Sequence, residues 1–301
     1  MENKTLVSLC IPTNGVTEWV VPVIQSIYKD KEVRLDSFEV IITDNGTNTE
    51  FESIVREYQK HYNNLIYAKT SVSGFLNQIE SFRFAKGQLV KFINHRMPLV
   101  DGFLRELLLI SQRYSETKPQ IFFTNGTLKN ISEYSEFYNF NEYVNCISYM
   151  ASWSGGTTFW KDEVDLDCLE NYNATFPHIN FVLNKSKSSE YLVINKKTFE
   201  NIKADETKKG KYNLFYAFGV VFPELVIQHL INDDILLDTF TGIIKRLELF
   251  LGQQYLEYCI LKKPCSYELS NMELNCDVFF DSYRIKLIAY LKLIKRIFTH
   301  R

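Results

Sequence analysis

Hydrophobic positions in the first hundred residues alternate between two periods. Positions 6–11 are a continuous apolar run of strand length, ended by Pro12, after which Val20, Val23, Ile24, Ile27 and Tyr28 recur at helical spacing. Positions 38–43 form a second run, rich in Val and Ile, that stops at Asp44. Thr49-Glu-Phe-Glu52 has the form of a capping box, opening a helix whose face is Phe51, Ile54, Val55 and Tyr58. The pattern then predicts a strand at 65–68, a helix at 76–85 with Gly87 suited to its C-terminal turn, and a strand at 89–93. Strand and helix in alternation predict an α/β fold with a mainly parallel sheet covered on both faces. Such sheets bind ligands beyond the carboxyl ends of their strands. Four polar clusters fall at those ends: Pro12-Thr13-Asn14, Asp44-Asn45, Ser73-Gly74 and Asn94-His95-Arg96.

Beyond residue 100 the pattern loosens. A helix is predicted at 102–113 with Asp101 as its N-cap, a strand at 121–124, a polar tyrosine-rich stretch at 129–149, a tight loop at 152–158 and a strand at 191–194. From 212 the chain is largely helical. The nearly uncharged stretch 212–232 is interrupted by Pro223 and Glu224, which predicts a buried helix rather than a membrane span. Across 283–301, Leu287, Tyr290, Leu291, Ile294 and Phe298 share one helical face, with Arg284, Lys292, Lys295 and Arg296 elsewhere. That segment reads either as a helix packed on its own domain or as a basic amphipathic element resting on an anionic membrane.

Composition narrows the class. The chain has 301 residues, 46% hydrophobic and 23% charged, which is the make-up of a folded globular protein. At this length one large domain, or one domain with an appendage, is expected. A net charge of −2 argues against a nucleic-acid partner. The six cysteines (10, 146, 168, 259, 265 and 276) show no C-x-x-C spacing, and the short N-terminal apolar run is no signal peptide, so reduced thiols and a cytoplasmic location are expected. No G-x-G-x-x-G follows the first strand, and the chain has no Walker A lysine loop, G-x-S-x-G elbow or zincin histidine pair.

Four segments carry a resemblance. VSLCIPTNG (7–15), FEVIITDNGTNTE (38–50), SVSGFLNQIESFRFAKGQLVKFIN (71–94) and PLVDGFL (98–104) resemble, in order and spacing, successive blocks of a family 2 glycosyltransferase with the GT-A fold. SGGTTFW (154–160) resembles the family's acceptor-side loop more faintly. The resemblance implies a GT-A catalytic domain over 1–211, with a nucleotide-sugar half at 1–105 and an acceptor half at 106–211, followed by a helical C-terminal region over 212–301. It also implies transfer of a sugar from a nucleotide sugar, a UDP-sugar being favoured, to a glycan acceptor. That acceptor is expected to be lipid-linked, in bacterial capsule or surface polysaccharide synthesis at the inner face of the cell membrane, with inversion. The alternative is a non-catalytic nucleotide-sugar-binding or assembly protein descended from such an enzyme.

Carried over residue by residue, Pro12, Thr13, Asn14, Asp44, Gly74 and Asn94 would line the donor site, and Gly155, Gly156 and Thr157 the acceptor side. The competing reading of Asp44, the weaker of its two, is a strand-end cap, and Gly74 reads equally as a plain turn. The family's Asp-x-Asp, which holds Mn²⁺ or Mg²⁺ against the donor diphosphate, is replaced here by Asn94-His95-Arg96, which puts the metal in doubt. Arg96, helped by His95, would take over part of its charge neutralisation; the competing reading makes Arg96 a surface residue. For the base that deprotonates the acceptor, the candidates are His178 and the acids Asp162, Glu163, Asp165, Asp167 and Glu170. The acids read chiefly as a solvated charge run, and His178 alternatively as a packed structural histidine.

Overall fold

The computed structural model describes residues 5–166, 171–183, 190–203 and 205–299. In chain order the first elements are β1 (Val7–Thr13), α1 (Thr17–Ile27), β2 (Phe38–Asp44), α2 (Thr49–His61), β3 (Leu65–Lys69), α3 (Asn77–Arg83), β4 (Leu89–Phe92) and α4 (Phe103–Arg113). Next come β5 (Gln120–Phe123), β6 (Tyr134–Phe137), α5 (Phe140–Ile147), β7 (Thr158–Trp160), α6 (Ile179–Val182) and β8 (Tyr191–Ile194). The remainder is helical: α7 (Leu214–Tyr216), α8 (Phe222–Ile231), α9 (Leu237–Gln254), α10 (Met272–Cys276) and α11 (Ser282–Thr299). Two compact units result, Met1–Asn139 with Met150–Ala204, and Phe140–Tyr149 with Asp205–Arg301.

The first unit is built on a sheet of order β3-β2-β1-β4-β7, in which only β7 runs antiparallel. Both faces are covered, which is why its central strands run apolar at consecutive positions, broken by the buried Ser8, Glu39 and Lys91, rather than at alternate ones. Leu9 and Ile11 of β1 pack toward α1, α2 and α4 through Val23, Phe51 and Leu107, while Cys10, Ile41 and Val90 point the other way, toward Ile79 and Phe82 of α3. Burying a side chain of this kind contributes about 1.5–3 kcal/mol. The order steps outward from β1 to β3 and then returns across β1 to β4. The carboxyl ends of β1 and β4 therefore part at a topological switch point, the usual site of a ligand crevice. A smaller sheet, β5-β8-β6, joins the first through the bridge Phe122–Thr157.

The strand and helix pattern of the first hundred residues is borne out, with local corrections. Asn48, not Thr49, caps α2: its Oδ1 accepts from the Glu50 and Phe51 amides. Gly102 at φ 82°, not Asp101, precedes α4, and Asp101 instead pairs with Lys29 at 2.8 Å.

In the second unit, α7 runs through a π-helical stretch (Ala217–Val221) into α8. Residues Leu214–Ile231 are long and apolar enough to cross a membrane, yet 56% of them are buried inside the molecule. Helices α9 and α11 approach closely at Gly252, where a Cβ would lie 2.5 Å from Ile288. The described cysteines, Cys10, Cys146, Cys259, Cys265 and Cys276, are free thiols.

Candidate functional site

The parallel register sets Thr13 opposite Asp44, at the carboxyl ends of β1 and β2. β4 brings up the third strand end, and the chain leaves it through Asn94, whose Oδ1 accepts from the Arg96 amide at 3.2 Å and whose carbonyl accepts from the Met97 amide at 3.0 Å. That turn carries His95 back over β1. Its Nδ1 lies 2.9 Å from Thr13 Oγ1, which itself accepts from the Gly15 amide at 3.1 Å. The threonine hydroxyl, accepting from Gly15, and the imidazole thus share one hydrogen bond, whose direction goes with the tautomer of the ring. The ring meets Trp19 edge-on at 5.2 Å, and the Arg96 guanidinium lies 6.0 Å from the same indole. Burial, and secondarily the adjacent Arg96 charge, push His95 down to about 3. The imidazole is therefore neutral, and the charge at this edge is that of Arg96. Any help His95 gives Arg96 is therefore that of a neutral ring.

Asp44 is wholly buried. Oδ2 accepts from the Tyr67 hydroxyl and from Lys69 Nζ, both at 2.8 Å, and Oδ1 from the Gly46 amide at 2.8 Å. The carboxylate thus ties the end of β2 to β3 and caps its own turn, the strand-end reading of the sequence. Gly46 is held under a steric demand, because a Cβ there would fall 2.0 Å from the Asn14 carbonyl oxygen. Asn77, at the start of α3, joins the strand ends: its Nδ2 donates to the Thr43 carbonyl at 2.9 Å and the Thr13 carbonyl at 3.3 Å, and its Oδ1 accepts from Thr70. Around this floor, Asn14 is exposed and Pro12 half-buried, while Gly74, at φ 59°, faces open space.

The remaining expected residues lie elsewhere in the unit. Gly155, Gly156 and Thr157 are buried. A Cβ at Gly155 would strike the Trp153 ring at 2.3 Å, and one at Gly156 the Phe122 ring at 2.3 Å. Their carbonyls face inward, where Lys91 Nζ donates to Gly155 at 2.6 Å and Thr157 at 3.2 Å. Lys91 is itself fully buried, 4.8 Å from the Phe123 ring centre and 5.4 Å from that of Phe199, and desolvation holds it well below the ordinary lysine range. These glycines shape the wall by packing and do not present a contact surface.

His178 is 2% exposed, and neither ring nitrogen has a partner at hydrogen-bonding geometry, although the Ser152 and Ala151 backbone lies close enough to favour the charged form slightly. Desolvation dominates and pushes it down to about 4. Sealed in this way, the ring has no route to an acceptor hydroxyl, and the base role expected from the sequence does not fit its placement. Asp162 pairs with Lys118 on the surface, and Asp165 is exposed, as a solvated charge run requires. Asp167 and Glu170 lie outside the described residues.

No protein-family model and no curated protein sequence matches the chain. Solved structures do. S. aureus TarS 1–349 in complex with UDP-GlcNAc aligns with a TM-score of 0.53 at 14% identity, over 93% of this chain and 91% of that one. Its complex with UDP aligns with a TM-score of 0.54 at 16% identity, over 86% and 75%. The longer S. aureus TarS structure gives a TM-score of 0.53 at 14% identity over 83% of this chain, which spans only 43% of that protein. The fold is GT-A-like, with a helical C-terminal region.

For a GT-A-like fold the loop after β4 is where paired carboxylates would hold a divalent cation. In this loop Asn94 Oδ1 is committed to the Arg96 amide and His95 Nδ1 to Thr13, and the one charged side chain is a cation. Among the described residues no three His, Cys, Asp or Glu side chains group as ligands. Hard cations such as Mn²⁺ and Mg²⁺ call for clustered oxygen donors, and these residues do not fit one. Sequence reasoning missed Trp19, Asn77 and Lys91. Only Lys91 left a signal, a charged residue interrupting an otherwise apolar strand.

Proposed function

We propose that the protein is a transferase that moves a sugar from a nucleotide sugar, a UDP-sugar in the first instance, to a hydroxyl of a lipid-linked glycan in bacterial surface or capsular polysaccharide, with inversion. The observation that carries the reading is the junction at the switch point, where His95 is locked to Thr13 and Arg96 is the charged group of the β4 loop. The same fold in S. aureus TarS is found with UDP and with UDP-GlcNAc, which supports this donor class.

In the reaction, the acceptor oxygen forms a bond to the anomeric carbon as the bond from that carbon to the diphosphate oxygen breaks. The departing electron pair leaves on the nucleoside diphosphate, and the hydroxyl proton passes to a base. Arg96, a planar and permanently charged donor, stabilises the developing diphosphate charge, with the neutral His95 ring held beside it by Thr13. The open, left-handed turn at Gly74 admits close approach of the donor.

Two measurements test this. UDP and UDP-sugars are expected to raise the melting temperature more than adenosine nucleotides do, with or without Mn²⁺. Arg96→Ala is expected to lower transfer by about 100- to 1,000-fold while leaving the fold intact, and a chelator to leave the wild-type rate unchanged. Strict dependence on a divalent ion would overturn the role given to Arg96. The missing carboxylate pair favours a second reading, a donor-binding protein without turnover. Donor binding with neither transfer nor hydrolysis by the purified protein would select it.

A further inference from the structure

Helix α11 turns an apolar face to solvent. Only Ser282, Ile285 and Ala289 of its 18 residues are buried. Tyr283, Leu287, Tyr290, Leu291, Ile294 and Phe298 are between 50% and 78% exposed. At 3.6 residues per turn these six fall within an arc of roughly 100°, centred opposite Ile285. The helix therefore has two apolar faces, a narrow one seated against α9 and a wide one with no protein cover among the described residues. A continuous exposed stripe of this size is unusual on a soluble surface unless something covers it.

The charges name the cover. α11 carries Arg284, Lys286, Lys292, Lys295 and Arg296 and no acidic residue. Arg284 pairs with Glu248 at 3.1 Å, Lys286 with Glu273 and Arg296 with Glu257 at 3.7 Å, while Lys292 donates to the Leu249 carbonyl at 3.0 Å. Lys295 is exposed, and Arg284 stays 66% exposed despite its pairing. By helical position Arg284 and Lys295 flank one border of the stripe and Lys286 the other. Two copies meeting stripe to stripe would bring rows of like charge together, which disfavours self-association. A bilayer surface with anionic headgroups accepts both halves of the pattern, the apolar side chains below the headgroups, the tyrosines at their level and the cations among them.

We propose that α11 docks the protein in-plane on an anionic lipid surface through this stripe. The proposal does not rest on the sugar-transfer reading, and each can fail without the other. Its test is flotation of the full chain with vesicles of phosphatidylcholine alone, or with phosphatidylglycerol at about one lipid in three. Wild-type protein is expected to float with the anionic vesicles and about ten-fold more weakly with phosphatidylcholine alone. Leu291→Glu with Ile294→Glu is expected to abolish flotation, and Lys295→Glu to weaken it about ten-fold. These positions are exposed, so unchanged circular dichroism and melting temperature are expected to accompany the loss. Wild-type protein that stays unbound, or flotation undiminished by the double substitution, overturns the proposal. So does a wild-type dimer that the double substitution turns into a monomer without any flotation, which would assign the stripe to a second copy.

Discussion

Lys91 sits wholly buried in a central strand, its Nζ held by two carbonyls of the Gly155–Thr157 turn and faced by two aromatic rings. Replacing it by methionine keeps most of the volume but leaves the Gly155 carbonyl without its donor. Lys91→Met is expected to destabilise the protein by about 1–3 kcal/mol in urea unfolding. Gly156→Ala should act on the same wall by the opposite route, overpacking against Phe122, at about 1–3 kcal/mol. Residue identity at this scale was only partly legible. The lysine stands out in Leu89-Val-Lys-Phe92, but nothing local reveals that its partner lies more than sixty positions along the chain. Asp44 and His178 show the same limit. Both were visible as chemistry-bearing residues, and what the structure adds is burial, which commits one carboxylate to protein donors and closes off one imidazole.

Among the elements, strands and helices of the first hundred residues were legible because each central strand is buried on both faces and each helix on one, so the hydrophobic periods differ. Their ends were less so. Thr49 and Asp101 looked like caps, and Asn48 and Gly102 hold those places, since a cap is chosen by the φ of one residue rather than by a repeating pattern. The joint between elements is Asn77, which bonds to the ends of β1 and β2 from α3. Asn77→Ala leaves two buried carbonyls with fewer donors, and a loss of about 2–3 kcal/mol is expected. If the joint also sets the floor of the crevice, calorimetric titration should show weaker UDP binding in that variant, beyond the fraction unfolded.

For the whole molecule, acid is the informative variable. The His178 ring resists protonation in the folded state down to about pH 4, whereas in the unfolded chain it takes up a proton near 6.5. The unfolded state therefore binds more protons across that window, and stability is lost as the pH falls through it, by about 1.4 kcal/mol per pH unit and about 3 kcal/mol in all. His95 acts in the same direction. Urea unfolding of the wild type between pH 7 and 4 should show this slope, and His178→Leu should flatten it by about one proton.

The contact of Gly46 with the Asn14 carbonyl has a further consequence. With Asn48 Nδ2 also donating to the Gly15 carbonyl at 3.0 Å, the loops after β1 and β2 touch backbone to backbone and are cross-linked at a second point. Neither can swing open without the other. Much of the entropy lost in ordering this edge is settled when the chain folds, so the nucleotide of the proposed donor would meet a preorganised rim and retain more of its contact energy as affinity.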